Sequence, residues 1–152
     1  MRLASALSER AILQEKILDL RNRMGINAVV QEGEKPAEDP WALLKVLDSI
    51  LEQYEGILAS INLTNSKTVT KDGVTLTELL SRREALEKRI DALDRMATAA
   101  TENTHRYARN EIKWLSSVSI PELRKIKDEA EKQLRILNEQ IQEINWTTNL
   151  IE

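Results

Sequence analysis

The sequence contains no cysteine and no phenylalanine, and it has only four glycines, three prolines and one histidine among 152 residues. The absence of cysteine excludes disulfides, thiolate nucleophiles and cysteine metal sites. Aromatic residues make up 3% of the chain, so any core must be aliphatic. A Ser–His–Asp arrangement could use only His105, and neither a Gly-x-Ser-x-Gly elbow nor a glycine-rich phosphate loop occurs.

Charge and hydropathy restrict the possible partners. Charged residues make up 31% of the chain and the net charge is −3. General nucleic-acid binding requires a concentrated positive field, so this balance argues against it. No stretch reaches the roughly 18 apolar residues of a membrane span, and Glu9, Arg10 and Glu15 interrupt the N-terminal segment where a signal peptide would need an apolar core. We therefore expect a cytoplasmic protein without a membrane partner.

What the sequence does contain is typical of long helices: few glycines and prolines, and many Leu, Glu, Lys and Arg. Apolar residues recur at spacings of three and four. The sequence therefore predicts a mainly α fold, a four-helix antiparallel bundle that is coiled-coil-like in places and forms one domain over residues 1–152. The helices are expected at about residues 2–24, 40–65, 76–104 and 120–145.

The helix ends are predicted from capping patterns. Gly25 favours the end of the first helix. The start of the second helix is indicated by Asp39 before Pro40. The starts of the third and fourth helices are indicated by two capping boxes, Thr75 with Glu78 and Ser119 with Glu122.

Two segments between helices favour β structure. Thr and Val alternate around Asp72 and Gly73, which predicts a small β-hairpin over about residues 67–76. Helical and extended patterns compete over residues 105–118. We predict a helix before about Arg109 and a strand after it, because the following LSSVSI is rich in Ser and β-branched residues.

Two arginines interrupt the apolar stripes, Arg10 in the first helix and Arg83 in the third. Burying an unpaired guanidinium is very unfavourable. The side chains could pack their stems and keep their heads in water. Alternatively, each could pair with a carboxylate across the bundle or a subunit interface and set the register. The sequence favours the first interpretation, because flexible stems are the more common outcome.

Polar and aromatic residues concentrate in HRYARNEIKW, residues 105–114. They could form a structural joint or a subunit interface, since Arg, Tyr and Trp are enriched at interfaces. They could also form a basic surface with stacking aromatics for nucleic acid, but the patch is small and the chain is acidic. The hypothesis of a structural joint or subunit interface is favoured. Its candidate residues are Arg106, Tyr107, Arg109, Glu111, Lys113, Trp114 and, further along the chain, Trp146.

Glu102 and His105 have the Glu-x-x-His spacing found in di-iron helical bundles. Those sites need two such motifs and two further glutamates, so only a symmetric dimer of this chain could complete one. The simpler interpretation is a solvated helix end. We expect neither a metal nor a cofactor.

Three segments, VQEGEKPAEDP, RYARNEIKW and IQEINWTTNLIE, together with the opening MRLASALSERAILQEKI, resemble the septicolysin-like family of small bacterial proteins. The resemblance covers essentially the whole chain. It implies no catalytic residues, because that family has no established activity. It also implies a shared surface at residues 28–34, 105–114 and 142–152. The family name suggests a cytolysin, but the chain lacks a tryptophan-rich undecapeptide.

The function that these observations favour is that of a non-enzymatic, self-associating structural or adaptor protein, with a second copy of the chain as partner. Three alternatives remain open. They are a nucleic-acid-associated protein using the 105–114 stretch, a membrane-active cytolysin-like protein, and a dimeric metal protein using Glu102 and His105.

Overall fold

The structure, a computed structural model, describes residues 1–102 and 112–151 and is mainly α, as predicted. The described part contains almost no strand. Four helices follow one another along the chain: α1 Leu3–Asn27, α2 Pro40–Lys67, α3 Leu76–Glu102 and α4 Ile120–Thr147.

The predicted caps at the starts of α2, α3 and α4 are confirmed. At α4, Glu122 N donates to Ser119 Oγ at 3.4 Å, and Ile120 is the first helical residue. Asp39 accepts a hydrogen bond from Trp41 N at 3.0 Å, and Pro40 is the first helical residue. At α3, Glu78 N donates to Thr75 Oγ1 at 3.2 Å, and Thr75 N donates to Glu78 Oε2 at 2.7 Å. The Thr75 hydroxyl also donates to Glu78 Oε2 at 2.8 Å. The bonds from the Thr75 backbone N–H and hydroxyl stabilise the carboxylate and hold the pKa of Glu78 below its usual value.

The first helix continues past Gly25 to Asn27. Asn27 is buried, and its side-chain amide donates to Arg23 O at 2.9 Å. Its side-chain oxygen accepts a hydrogen bond from Glu38 N at 3.0 Å. The side chain therefore completes the last turn of α1 and attaches the following loop to it, so the helix does not need to end at the glycine.

The structure does not show the β-hairpin predicted over about residues 67–76, and only single bridge residues, Val69 and Thr75, flank the turn. Instead, Thr70 N donates to Val74 O at 2.8 Å, and Gly73 N donates to Thr70 O at 3.0 Å, which closes a tight turn. Gly73 has φ +78°, a left-handed conformation that glycine adopts without a Cβ clash. Because α2 and α3 extend close to this turn on both sides, too few residues remain for paired strands.

The strand predicted after Arg109 is likewise absent from the part of that stretch that is described. Residues 112–119 are irregular up to the first residue of α4. Ser116 Oγ donates to Val118 O at 2.7 Å, so a local turn satisfies the backbone here without a neighbouring strand.

The chain divides into two compact units, Met1–Val69 with Ile144–Glu152, and Thr70–Glu143. The single domain expected over residues 1–152 stays a prediction. In the first unit, α1 and α2 pack antiparallel, and Gln14 Nε2 near the middle of α1 donates to Tyr54 OH of α2 at 3.2 Å. The core of this unit is aliphatic and contains Leu3, Ala6, Leu13, Leu20, Leu43, Ile57 and Ile61.

The second unit holds α3 and most of α4. Its buried aliphatic residues are Leu76, Leu79, Leu123, Ala130 and Ile141. Lys127 of α4 forms an ion pair with Asp94 of α3. The hydrogen bond from Lys127 to Asp94 raises the pKa of the lysine above its usual value, and a second carboxylate, Glu131, lies 3.4 Å from the same Nζ.

Candidate interaction surface

An uncharged patch lies in the second unit, where the last turns of α3 meet the residues that lead into α4. We call it the tip patch and define it by residues 96–100 and 114–118. A groove of about 280 Å³ runs through it. Its lining residues are Met96, Ala99, Ala100, Trp114, Leu115, Ser116, Ser117 and Val118.

Small residues at the end of α3 leave the space for this groove. The helix carries Ala97, Ala99 and Ala100 within one turn, and none of them has more than a methyl side chain. The opposite wall is held by the turn at Ser116 and by the start of α4, where Glu122 N lies 3.4 Å from Ser119 Oγ. The groove thus lies between the end of α3 and the segment before α4, and serine side chains hold that segment in place.

Large apolar side chains stand exposed in and beside the tip patch. Trp114 is 69% exposed and Leu115 is 77% exposed. Ile112, two residues before Trp114, is almost fully exposed. A contiguous apolar group of this kind is typical of interaction sites, whereas single exposed aliphatic residues occur on every protein surface.

Charges occur at the rim of the tip patch and not within it. Residues 96–101 and 114–121 contain no Asp, Glu, Lys or Arg, although 31% of the chain is charged. Glu102 follows the first of these stretches and Lys113 precedes the second, and both are exposed. Among the described residues, the two uncharged stretches are flanked by Arg95 and Glu102 and by Lys113 and Glu122. An apolar centre with charged residues around it is common at protein–protein interfaces.

The two arginines that interrupt apolar stripes are both half-buried. Nε of Arg10 and Nε of Arg83 are buried without a hydrogen-bond partner among the described residues. Arg83 is 38% exposed, and its Nε lies 3.9 Å from Glu87 Oε1, one turn along the same helix. The snorkelling and register-setting interpretations both stay predictions, and the second would require a carboxylate from another molecule or from residues not described.

A polar cluster in the first unit was not foreseen from the sequence. The Arg23 guanidinium binds Glu38 and also lies 3.1 Å from Asp19 Oδ2. The hydrogen bonds from Arg23 lower the pKa of Glu38 below its usual value and raise the pKa of the arginine. The cluster holds the loop before α2 against the end of α1. No periodic pattern in the sequence links Arg23 to a carboxylate fifteen residues away.

The ends of the chain also meet in the first unit. Leu3 N donates to Thr148 O at 3.0 Å, and Leu150 N donates to Met1 O at 2.8 Å. An isolated antiparallel bridge joins Arg2 and Asn149 between them. Trp146, which lies just before this contact, is exposed. These main-chain bonds give the C-terminal residues a structural role. From the sequence, they were expected only as part of a possible shared surface.

The predicted candidate residues fall into three groups. Lys113 and Trp114 belong to the second unit and are exposed, whereas Trp146 belongs to the first. The other candidates lie outside the described residues: His105, Arg106, Tyr107, Arg109 and Glu111. The hypothesis of a joint or interface at residues 105–114 therefore stays a prediction for most of its members.

The described ranges 1–102 and 112–151 contain neither a metal-ligand cluster nor a helix suited to cross a membrane. No group of three or more His, Cys, Asp or Glu side chains is placed there to hold a metal ion. His105 of the proposed Glu-x-x-His pair lies outside those ranges. Within the same ranges, the helices do not combine the length and apolar character that a bilayer crossing needs.

Comparison with known proteins gives a family and a structural neighbour. The model of a family of unknown function matches residues 10–150. The chain is also similar to a crystal structure of a functionally unknown conserved protein from Corynebacterium diphtheriae. The two are 37% identical, the match covers 99% of each chain, and the TM-score is 0.92. No match was found among curated proteins.

The resemblance to the septicolysin-like family is wrong, because the family that matches nearly the whole chain is a different one and the structural neighbour does not indicate it either. The resemblance depended on short segments, two of them from a loop and from the C-terminal end of α4. Such segments indicate relatedness but do not identify the family. The membrane-active alternative depended on that name, so it loses its basis.

Proposed function

The chain belongs to this family of unknown function, DUF6847, and from that premise we propose that it acts by self-association, as a non-enzymatic structural or adaptor protein. Neither the family nor the structural neighbour has an assigned role. The proposal therefore depends on the physical properties of this chain.

The observation that carries the proposal is a set of large apolar side chains that stand exposed among the described residues. In the first unit, Trp41 is 74% exposed and Trp146 is 67% exposed. In the second unit, Ile112 is 93% exposed and Leu115 is 77% exposed. Exposed apolar patches of this kind are typical of protein interaction sites.

Oligomer interfaces cover apolar side chains of this kind. A standard stable interface removes about 800 Å² from each partner, and obligate homodimers remove more. Part of the exposed surface consists of large apolar side chains, among them Trp114 and Leu115. Covering such side chains with a second copy would give a favourable free energy of roughly 25 cal/mol per Å² of apolar area removed from water. Most oligomers of globular proteins are homo-oligomers, so a second copy of the chain is the expected partner.

The experiment is light scattering on a sizing column with the full chain, over at least a hundredfold range of concentration. We expect a mass that is a whole multiple of 17.4 kDa and that falls towards the monomer only on dilution. A mass of 17.4 kDa at every concentration would overturn the proposal. A mass that rises without limit as concentration increases would also count against it, because it would indicate aggregation and not closed association.

A further inference from the structure

The first helix of each helix pair carries the same residues at the same positions. α1 begins at Leu3 and α3 begins at Leu76, 73 residues later. Over the first eighteen residues of these helices, seven positions hold the same amino acid. Apolar periodicity alone would align leucines and isoleucines, but it does not require a shared serine and a shared arginine. The seven residues of α1 that recur 73 positions later are Leu3, Leu7, Ser8, Arg10, Leu13, Ile17 and Leu20.

Matching serines make matching hydrogen bonds. Ser8 Oγ donates to Ala4 O at 3.2 Å in α1, and Ser81 Oγ donates to Thr77 O at 3.0 Å in α3. Donor and acceptor are both 73 residues apart between the two bonds. The correspondence therefore extends from the sequence to the contacts.

The two arginines that interrupt apolar stripes occupy one position of this pattern. Arg10 and Arg83 are 73 residues apart, and each has a buried Nε without a hydrogen-bond partner among the described residues. Leu3 and Leu76, at the starts of the two helices, are both fully buried. Two arginines with the same surroundings in their helices are expected if one helix pattern occurs twice.

The second helices of the two pairs also match, at a separation of 80 residues. α2 and α4 each contain 28 residues, and their first residues are Pro40 and Ile120. At their C-terminal ends, Thr68 N donates to Thr64 O and Thr148 N donates to Ile144 O, both at 2.9 Å. Buried residues at matching positions are Leu43 with Leu123 and Ile61 with Ile141.

The same numbering relates the turn between α2 and α3 to the ends of the chain. In the turn, Thr70 N donates to Val74 O at 2.8 Å. The residues that match these two are Leu150, 80 positions after Thr70, and Met1, 73 positions before Val74. Leu150 N donates to Met1 O, also at 2.8 Å.

The bridge residues follow the same rule. Arg2 and Asn149 form an antiparallel bridge, and the residues that match them, Thr75 and Val69, are the bridge residues on either side of the turn. The contact between the chain ends therefore has the main-chain pattern of the covalent turn.

We propose that the chain is a tandem duplication of one helix pair, and that its two ends form a clasp that takes the place of a second turn. The first repeat is α1 with α2 and the second is α3 with α4, because self-similarity at a fixed separation is the signature of a repeat. The clasp consists of residues 1–3 and 148–150. This inference does not depend on the proposed self-association.

The clasp and the turn differ in one physical respect. No peptide bond links Leu150 to Met1, whereas residues 71–73 link Thr70 to Val74. The clasp can therefore open locally while both helix pairs remain folded, and the turn cannot separate in this way. The clasp is the conformational element that this fold provides.

Amide hydrogen exchange of the wild type tests the opening. The amides of Leu150 and Thr70 make bonds of equal length, yet that of Leu150 should exchange at least about tenfold faster, because it is protected only while the clasp is closed. Equal exchange rates for the two amides would overturn the clasp as an opening element.

Backbone cyclisation tests the match between the clasp and the turn. Three residues separate Thr70 from Val74, so Ile151, Glu152 and one added glycine should suffice to link Leu150 to Met1. The cyclised chain should unfold at a higher urea concentration than the linear chain, because the link restricts the unfolded state. The linear chain with the same glycine after Glu152 is the matched control and should unfold like the wild type. An unfolding midpoint that is not raised, or that is lowered by strain, would overturn the correspondence.

Circular permutation exchanges the two junctions. A chain that contains the same glycine link and begins at Val74 should keep its helices in circular dichroism. Its new ends lie at the former turn, so Thr70 should now exchange faster than Leu150, the reverse of the wild type. A permutant opened between Glu32 and Gly33, in the loop from α1 to α2, is the control, and both amides should exchange slowly there. Loss of helices only in the permutant that begins at Val74, or an unreversed order of exchange, would overturn the proposal.

Discussion

Thr64 and Ile151 are joined by a hydrogen bond, in which Ile151 N donates to Thr64 Oγ1 at 2.9 Å. Thr64 is fully buried, and its hydroxyl also donates to Ser60 O, one turn earlier in α2, at 2.7 Å. The Thr64 hydroxyl oxygen thus accepts a hydrogen bond from the backbone N–H of Ile151, and the hydroxyl proton is donated within α2. The C-terminal residues are held against α2 by a buried polar contact in addition to apolar packing.

Replacing Thr64 with Val should therefore destabilise the protein by about 1–3 kcal/mol. Valine has nearly the same shape, so the loss comes from the missing acceptor, which leaves Ile151 N unsatisfied. Urea unfolding measures the change, and amide hydrogen exchange at Ile151 should become faster. Thr98→Val is the control, because Thr98 is exposed on α3. Equal unfolding midpoints for wild type and Thr64→Val would contradict this account.

The capping box of α3 gives a second prediction. Thr75 Oγ1 accepts a hydrogen bond from Glu78 N at 3.2 Å, so it satisfies one of the free amides of the first turn. Thr75→Ala should lower the free energy of unfolding by about 1 kcal/mol. Thr77→Ala, at an exposed position in the same turn, should change it by much less. If the two variants unfold at the same urea concentration, the cap does not stabilise the helix.

Two isoleucines on α4 differ in burial and should differ in their effect on stability. Ile141 is 2% exposed and Ile136 is 54% exposed. Ile141→Ala should cost about 2–5 kcal/mol, because it removes a buried side chain and leaves a cavity. Ile136→Ala loses little buried area and should stay within about 0.5 kcal/mol of the wild type in urea unfolding. Similar losses for the two variants would show that the core of this unit is not where we place it.

The helices were predictable because they repeat one pattern over many residues. Apolar spacing predicted all four helices. The local chemistry of Asp39 with Pro40, of Thr75 with Glu78 and of Ser119 with Glu122 predicted three of their starts. The paired strands of the predicted hairpin did not form, and the reason is local. The Asp-Gly pair does specify a turn at Gly73. However, each strand beside a turn needs several residues, and most of the neighbouring residues belong to α2 and α3.

The candidate surface was only partly predictable. Trp114 and Lys113 were selected because aromatic and basic residues cluster in that stretch of sequence. The groove beside Ala99 and Ala100 could not be predicted in this way, because it depends on where the end of α3 lies relative to the residues before α4. The bond from Ile151 to Thr64 was missed for a similar reason: it joins residues that are far apart in the sequence, and no periodic pattern links them.

The Arg23–Glu38 contact makes a prediction about pH. Hydrogen bonds from Arg23 hold the pKa of Glu38 below its usual value of 4.5. A carboxyl whose pKa is lower in the folded state stabilises the fold above the unfolded pKa and loses this contribution as the pH falls through the folded pKa. The stability of the wild type should therefore decline more steeply with acid, below about pH 4.5, than that of Glu38→Gln. Urea unfolding at intervals from pH 7 to pH 3 measures the two slopes.

Glu78, whose pKa is also lowered, is present in both proteins, so the difference between them reports Glu38 alone. Glu34→Gln, an exposed position in the same loop, is the control and should follow the wild type. Parallel curves for the wild type and Glu38→Gln would mean that the ion pair does not persist in solution.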